Sequence, residues 1–136
     1  MVTTDRHGNY AIVCHNQQAL NYNYYLTNET ELEKDSMWKY FDGRNKLNIR
    51  VRLTDVADGS YKIKIYRINE SNGSVMDIWK ELDFEKNPSR NDIKYFRRAC
   101  EPTLAIKKAE AVGGVMTIEE QLAPNEIAVI RIHKDI

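Results

Sequence analysis

The chain has 136 residues, 42% hydrophobic and 29% charged, and its 20 lysines and arginines balance 20 aspartates and glutamates. That is the size and composition of one globular domain over residues 1–136. Zero net charge leaves no electrostatic footprint for nucleic acid or anionic lipid, and no apolar run approaches the roughly 20 residues of a membrane-spanning helix.

The opening VTTDRHGNY is polar from Thr3 and carries no apolar signal region, which points to the cytoplasm. Cys14 and Cys100, the only cysteines, are therefore expected to be reduced. The NET and NGS triplets match the glycosylation acceptor pattern, which has no meaning for a cytoplasmic chain. NYAIVCHN (9–16) is a continuous apolar run and predicts a strand buried on both faces. LNYNYYL (20–26) alternates Leu20, Tyr22, Tyr24 and Leu26 against Asn21, Asn23 and Tyr25 and predicts a second strand. The acidic stretch up to Asn45 reads as a loop with a short helical turn near Trp38.

KLNIRVRL (46–53) alternates cleanly, with Leu47, Ile49, Val51 and Leu53 on one side. ADG (57–59) then turns the chain into SYKIKIYRI (60–68), with Tyr61, Ile63 and Ile65 inward, and the two runs predict a hairpin. The phase shifts over Tyr66–Ile68, which leaves a bulge or two-sided burial open. Asn72-Gly73 turns the chain out of this strand. Ser74 suits an N-cap with Asp77 at N3, and Val75, Ile78, Trp79 and Leu82 form an apolar stripe, so a helix closing one end of the core is predicted. Ser89, Asp92, the Ile93, Phe96 and Cys100 face, and Arg97–Arg98 before Pro102 predict another. TLAIKKAEAV (103–112), VMTIEEQL (115–122) and IAVIRIH (127–133) return to strands around turns at Gly113-Gly114 and Pro124–Glu126, the last again buried on both faces. The fold class is thus mainly β: an antiparallel sandwich of about seven to nine strands with helices inserted around 75–82 and 90–99.

Chemistry-bearing patterns are sparse. His7, His15 and His133 lie on distant segments outside any metal spacing, and there is no CxxC, GxSxG or phosphate-binding glycine loop. Glu119 and Glu120 sit side by side on a strand and face opposite ways, so no catalytic carboxylate pair is expected. No cofactor or metal is implied. Aromatic residues concentrate at Tyr22, Tyr24, Tyr25, Trp38, Tyr40 and Phe41. Such rings either fill a core or an interdomain contact or form a platform for sugars.

YAIVCHN, LNYNYYL, GSYKIKIYRINESNGSVMDIWKEL and LAPNEIAVIRI together resemble the C-terminal β-sandwich of glycoside hydrolase family thirty-nine, the β-xylosidase family, from about Asn9 to Ile132. The resemblance is strongest to a branch in which that module ends an AraC-type transcriptional regulator. It implies a C-terminal piece of a larger protein that packs against a (β/α)8 barrel. The family's catalytic glutamates lie in that barrel, one in an Asn-Glu-Pro motif, and a barrel takes about 250 residues. Here the Asn-Glu pairs at 28, 69 and 125 are followed by Thr30, Ser71 and Ile127, so no catalytic residue carries over. The expectation is a non-catalytic module whose partners are its parent's other domains or a second copy. A xylo-oligosaccharide-binding module is the alternative, and neither nucleic acid nor membrane is a partner.

Overall fold

The computed structural model describes residues 1–135, excepting the side chains at positions 34 and 35. One antiparallel sheet contains β1 (Val2–Thr4), β2 (Tyr10–His15), β4 (Gly59–Ile68), β5 (Thr103–Ala111) and β7 (Ile127–Lys134), in the order β1-β2-β7-β4-β5. The second sheet is only two strands wide, β3 (Leu47–Thr54) paired antiparallel with β6 (Val115–Leu122). Ile12, Tyr61, Ile63, Ile65, Ile130 and Ile132 from the large sheet meet Leu53, Met116 and Ile118 from the small one. Each such side chain contributes about 1.5–3 kcal/mol by leaving water. The mainly β sandwich with inserted helices is thus the observed class, and Tyr61, Ile63 and Ile65 point inward as their alternation requires.

The predicted hairpin between β3 and β4 does not form. β3 pairs with β6, and β4 pairs with β5 and β7. The connection is a corner between sheets: Asp55 takes a left-handed φ of 57°, and Val56 drops into the core while its amide donates to the Gly114 carbonyl. The Gly113-Gly114 turn behaves alike. Positive φ values of 63° and 77° and a Val112–Val115 bridge make a tight turn, after which β5 and β6 part into different sheets. Asp58 accepts the Gly114 amide at 2.8 Å and Tyr61 donates its hydroxyl to the Ala57 carbonyl at 2.7 Å, tying both corners together.

Residues 20–26 are a second correction. Only Leu20 makes a bridge, to Phe41, and Tyr22–Leu26 is a short helix, α1. Asn21 decides it, because its side chain accepts the Tyr24 amide as an N-cap and donates to the Lys39 carbonyl. The Tyr-rich alternation suited a strand, yet no neighbouring strand lies alongside to pair with it. The helical turn near Trp38 is present as a 3-10 segment, Lys34–Tyr40. The sequence reading missed β1. Its signal was the DRHGN turn, where the Asp5 carboxylate accepts the His7 and Asn9 amides.

β2 and β7 were expected to be buried on both faces, and each is buried on one. Ile12, Ala128, Ile130 and Ile132 are inside, whereas Val13 and Val129 are half-covered and Ile127 is exposed. Register runs unbroken through Tyr66–Ile68, so no bulge forms there, and Tyr66 is half-buried on the same outer face. Leu104, Tyr66, Val129 and Val13 are successive cross-strand partners, which makes one apolar row across that face.

α2 (Val75–Glu81) and α3 (Arg90–Ala99) form where expected, and Ser74 caps α2 by accepting the Met76 amide. Gly73 before it has a φ of 78°, and a Cβ there would sit 3.2 Å from Ile68. The core-closing role is not seen. No residue of either helix is buried, the helices pack on each other, and Trp79 lies against Phe84 with its indole N–H donated to the Glu85 carbonyl.

α3 opens with a full capping box, Ser89 and Asp92 exchanging side-chain and backbone bonds. The Ser89 side chain and then its amide hold the Asp92 carboxyl below its ordinary range. A depressed carboxyl stabilises the fold above its unfolded pKa, and the contribution disappears as pH falls through the folded value. Ser89→Ala is therefore expected to raise the Asp92 pKa toward the ordinary range and to fray α3 by about 1 kcal/mol at neutral pH. Carboxyl NMR titration and local amide exchange check this, and an unmoved Asp92 titration would refute it.

Candidate functional site

The candidate aromatic residues come together only in part. Tyr40 is buried at 3% exposure, and its hydroxyl accepts the Glu33 amide at 3.0 Å. Tyr24 packs edge-on against Tyr40 at 70° and against Tyr25 at 83°. Trp38 and Phe41 make a separate tilted pair with centroids 5.9 Å apart. Tyr22 and Tyr25 face solvent at 76% and 70% exposure, beside exposed Leu26. So Tyr24 and Tyr40 anchor the segment, and Tyr22, Tyr25 and Leu26 form an outward apolar patch. The Tyr24 ring stands steeply to both Tyr25 and Tyr40, so these three do not make the coplanar row that stacks successive sugars, while Trp38 and Phe41 tilt by 32°.

The densest polar cluster lies at the same end of the sandwich and joins two stretches that the sequence keeps far apart. Arg67 of the YRIN stretch donates to Glu126 of the PNE stretch at 2.9 Å and to Glu120 on β6 at 2.6 Å. Asn69 and the Ala123 amide donate to the other faces of the Glu126 carboxylate. Lys107 on β5 completes the set by pairing with Glu120. Beside it, Arg44 forks onto Glu70 at 2.7 and 2.6 Å, and Asn125 reaches Glu70 at 3.1 Å. Asn16 donates to the carbonyls of Asn45, Leu122 and Ala123.

The sequence sets Glu119 beside Glu120 and puts Glu126 in an Asn-Glu pair without the proline, and neither pattern places Glu126 next to Glu120. Glu119 pairs with Arg50 across the small sheet, facing away from Glu120 as strand geometry requires. Glu120 and Glu126 converge instead, but on one guanidinium. Among the described residues no buried side-chain polar atom lacks a partner. A carboxylate pair neutralised in this way locks chain corners, with β4, β6 and the β6–β7 loop held to one Arg. Beside the cluster runs an open groove of about 650 Å³, lined by Asn48, Arg50, Lys107, Glu119 and Gln121 among others. A smaller hollow of about 400 Å³ lies between His15 and Ile127.

No group of three or more metal-ligating side chains occurs among the described residues. Cys14 and Cys100 are unpaired, and burial pushes the Cys14 thiol up while its Sγ donates to the Ala128 carbonyl. No helix among the described residues is long and apolar enough to cross a membrane.

This architecture is found in solved enzymes. The GH39 enzyme from Xanthomonas axonopodis pv. citri matches 98% of the chain with a TM-score of 0.65 at 13% identity. A monomeric β-xylosidase from Caulobacter crescentus matches 95% with a TM-score of 0.63 at 12% identity. A bacterial orthologue of human α-L-iduronidase matches 71% with a TM-score of 0.51 at 19% identity. The fold is that of a segment of these enzymes. The chain spans about a quarter of the length of the first two, 25% of each. No family model matches the sequence, and no curated protein does.

Proposed function

We propose that this chain is a non-catalytic accessory β-sandwich of a β-xylosidase-like protein and packs against a (β/α)8 barrel that the chain itself does not contain. The observation that carries the reading is the overlay of 98% of the chain on a quarter of a GH39 enzyme. The outer row of half-covered Tyr66, Val129 and Val13, with Leu104, Ile68 and Ile127 exposed beside it, is the docking face. The parent is a cytoplasmic enzyme or, by the sequence resemblance, an AraC-type sugar-responsive regulator. Self-association of the parent is compatible with the same face.

The experiment compares Leu104→Asp in the isolated chain and in the product of the whole reading frame. Leu104 is exposed in the chain alone, so its unfolding free energy should move by less than about 0.5 kcal/mol. In the parent the same change should loosen the module, seen as faster amide exchange along β4 and β5. The isolated chain should not hydrolyse a chromogenic xyloside. Equal exchange in both parents, or turnover by the chain alone, would sink the proposal.

A second reading rests on the exposure of Tyr22 and Tyr25, which would serve a xylo-oligosaccharide platform. Calorimetric titration of xylo-oligosaccharides decides it. With Tyr25 edge-on to Tyr24 the expected trace is flat, and heat that vanishes in the Tyr22→Ala/Tyr25→Ala double variant would install sugar binding in place of docking.

A further inference from the structure

The two sheets differ in width, and the difference falls on one side. Glu120 of β6 pairs with Lys107 of β5 and with Arg67 of β4, so β6 lies over the β4–β5 flank. Its partner β3 therefore faces the β7–β2 side, and Val51 of β3, like Tyr10 and Cys14 of β2, packs against the margin of the shared core. Beyond β3 the small sheet stops. Beneath that gap, Val2 pairs with Ile12 and shares its inward face, yet Val2 is 49% exposed while Ile12 is buried. Val2 on β1 is thus left half open beside a covered β2, and one more strand, spaced about 4.8 Å from β3, would cover it.

The free edge of β3 has the form such a strand needs. Eight residues run straight, with no backbone hydrogen bond among the described residues to anything but β6. Leu47 is exposed and Ile49 and Val51 are half-covered on the inward side. On the outward side stand Arg50 and Arg52. Arg50 is matched by Glu119 across the pair, whereas Arg52 stands opposite Thr117 and has no carboxylate partner among the described residues. Two β3 strands in antiparallel register across a two-fold would bring these arginines together, and like charges opposite one another destabilise a pair. The edge thus disfavours a second copy of itself.

We infer that β3 is an acceptor for an extended segment alternating apolar and acidic residues. Such a segment would hydrogen-bond along the β3 edge, turn its apolar side chains over Val2, and set a carboxylate against Arg52. This goes beyond the docking of the outer face, since it uses the opposite layer and a main-chain edge.

The test uses the chain and synthetic eight-residue peptides. One alternates valine with glutamate, one alternates valine with lysine, and one scrambles the glutamate peptide. Fluorescence anisotropy should show the glutamate peptide binding at least tenfold tighter than either control. Amide exchange should slow along residues 47–54 and 2–4 and nowhere on β5. Arg52→Glu, a change at an exposed position, should reverse the preference between the glutamate and lysine peptides. Equal binding of all three peptides, no binding, or protection confined to β5 would overturn the inference. So would a stable dimer, by sedimentation, that Arg52→Glu leaves intact and that protects residues 47–54. None of these outcomes bears on whether Leu104 docks against a barrel.

Discussion

Arg67→Ala should cost about 3–5 kcal/mol of folding stability, the cost of removing one partner from a buried ion pair. Arg67 is the counter-ion of two carboxylates, and Glu126 has only 4% side-chain exposure. Removing the guanidinium leaves Glu126 with Asn69 and one backbone amide, and leaves Glu120 with Lys107 alone. The corner between β6 and β7 then holds an uncompensated buried charge. Urea unfolding followed by far-UV circular dichroism should show the midpoint fall with little change in slope. The mechanism makes a second demand, that Glu126→Gln in the Arg67→Ala background regains part of the loss, because the stranded charge is gone. A loss below about 0.5 kcal/mol, or a double variant worse than the single, would refute the electrostatic account.

Ile63→Ala is expected to cost a similar amount for a different reason. Ile63 is fully buried, lies in β4 between its partners on β5 and β7, and belongs to the inter-sheet core. Truncation there leaves a cavity that the surrounding strands close only in part, which puts the cost at about 2–5 kcal/mol. Ile106, the β5 partner of Lys64, is exposed on the outer face, and Ile106→Ala should change the isolated chain by less than about 0.5 kcal/mol. The same denaturation assay reads both. Equal losses for the two variants would mean that the outer face is already covered in the isolated chain.

Much of the fold was legible in the residues. Alternation located β3 and β4 and their inward faces, and cap chemistry placed α2 and α3 within a residue or two. Gly73 and the Gly113-Gly114 pair marked real turns. These features depend on contacts a few residues apart, or on a period that one strand carries within itself. What failed depended on partners. Residues 20–26 have the composition of a strand but lack a neighbour, so the Asn21 cap makes them a helix. The short spacing between β3 and β4 suggested a hairpin, yet Val56 in the core sends the two strands to different sheets. The Trp79 stripe looked like core material, but Trp79 lies on Phe84 while Val75 and Leu82 stay exposed.

The site divides the same way. Composition flagged the aromatic cluster, while only packing could separate buried Tyr40 from exposed Tyr22 and Tyr25. Glu126 showed in sequence only as an Asn-Glu pair without its proline, which says nothing of a partner at Arg67. The sequence by itself determined the mainly β character, the helix starts and the turn positions, because dihedral preference and hydrophobic period act locally. The tertiary structure alone decided which strands pair, that Arg67, Glu120 and Glu126 meet, and which apolar rows stay open. Those outcomes depend for the most part on contacts between residues distant in the chain, from Arg67 with Thr103 to Tyr10 with Ile132, which no local pattern encodes.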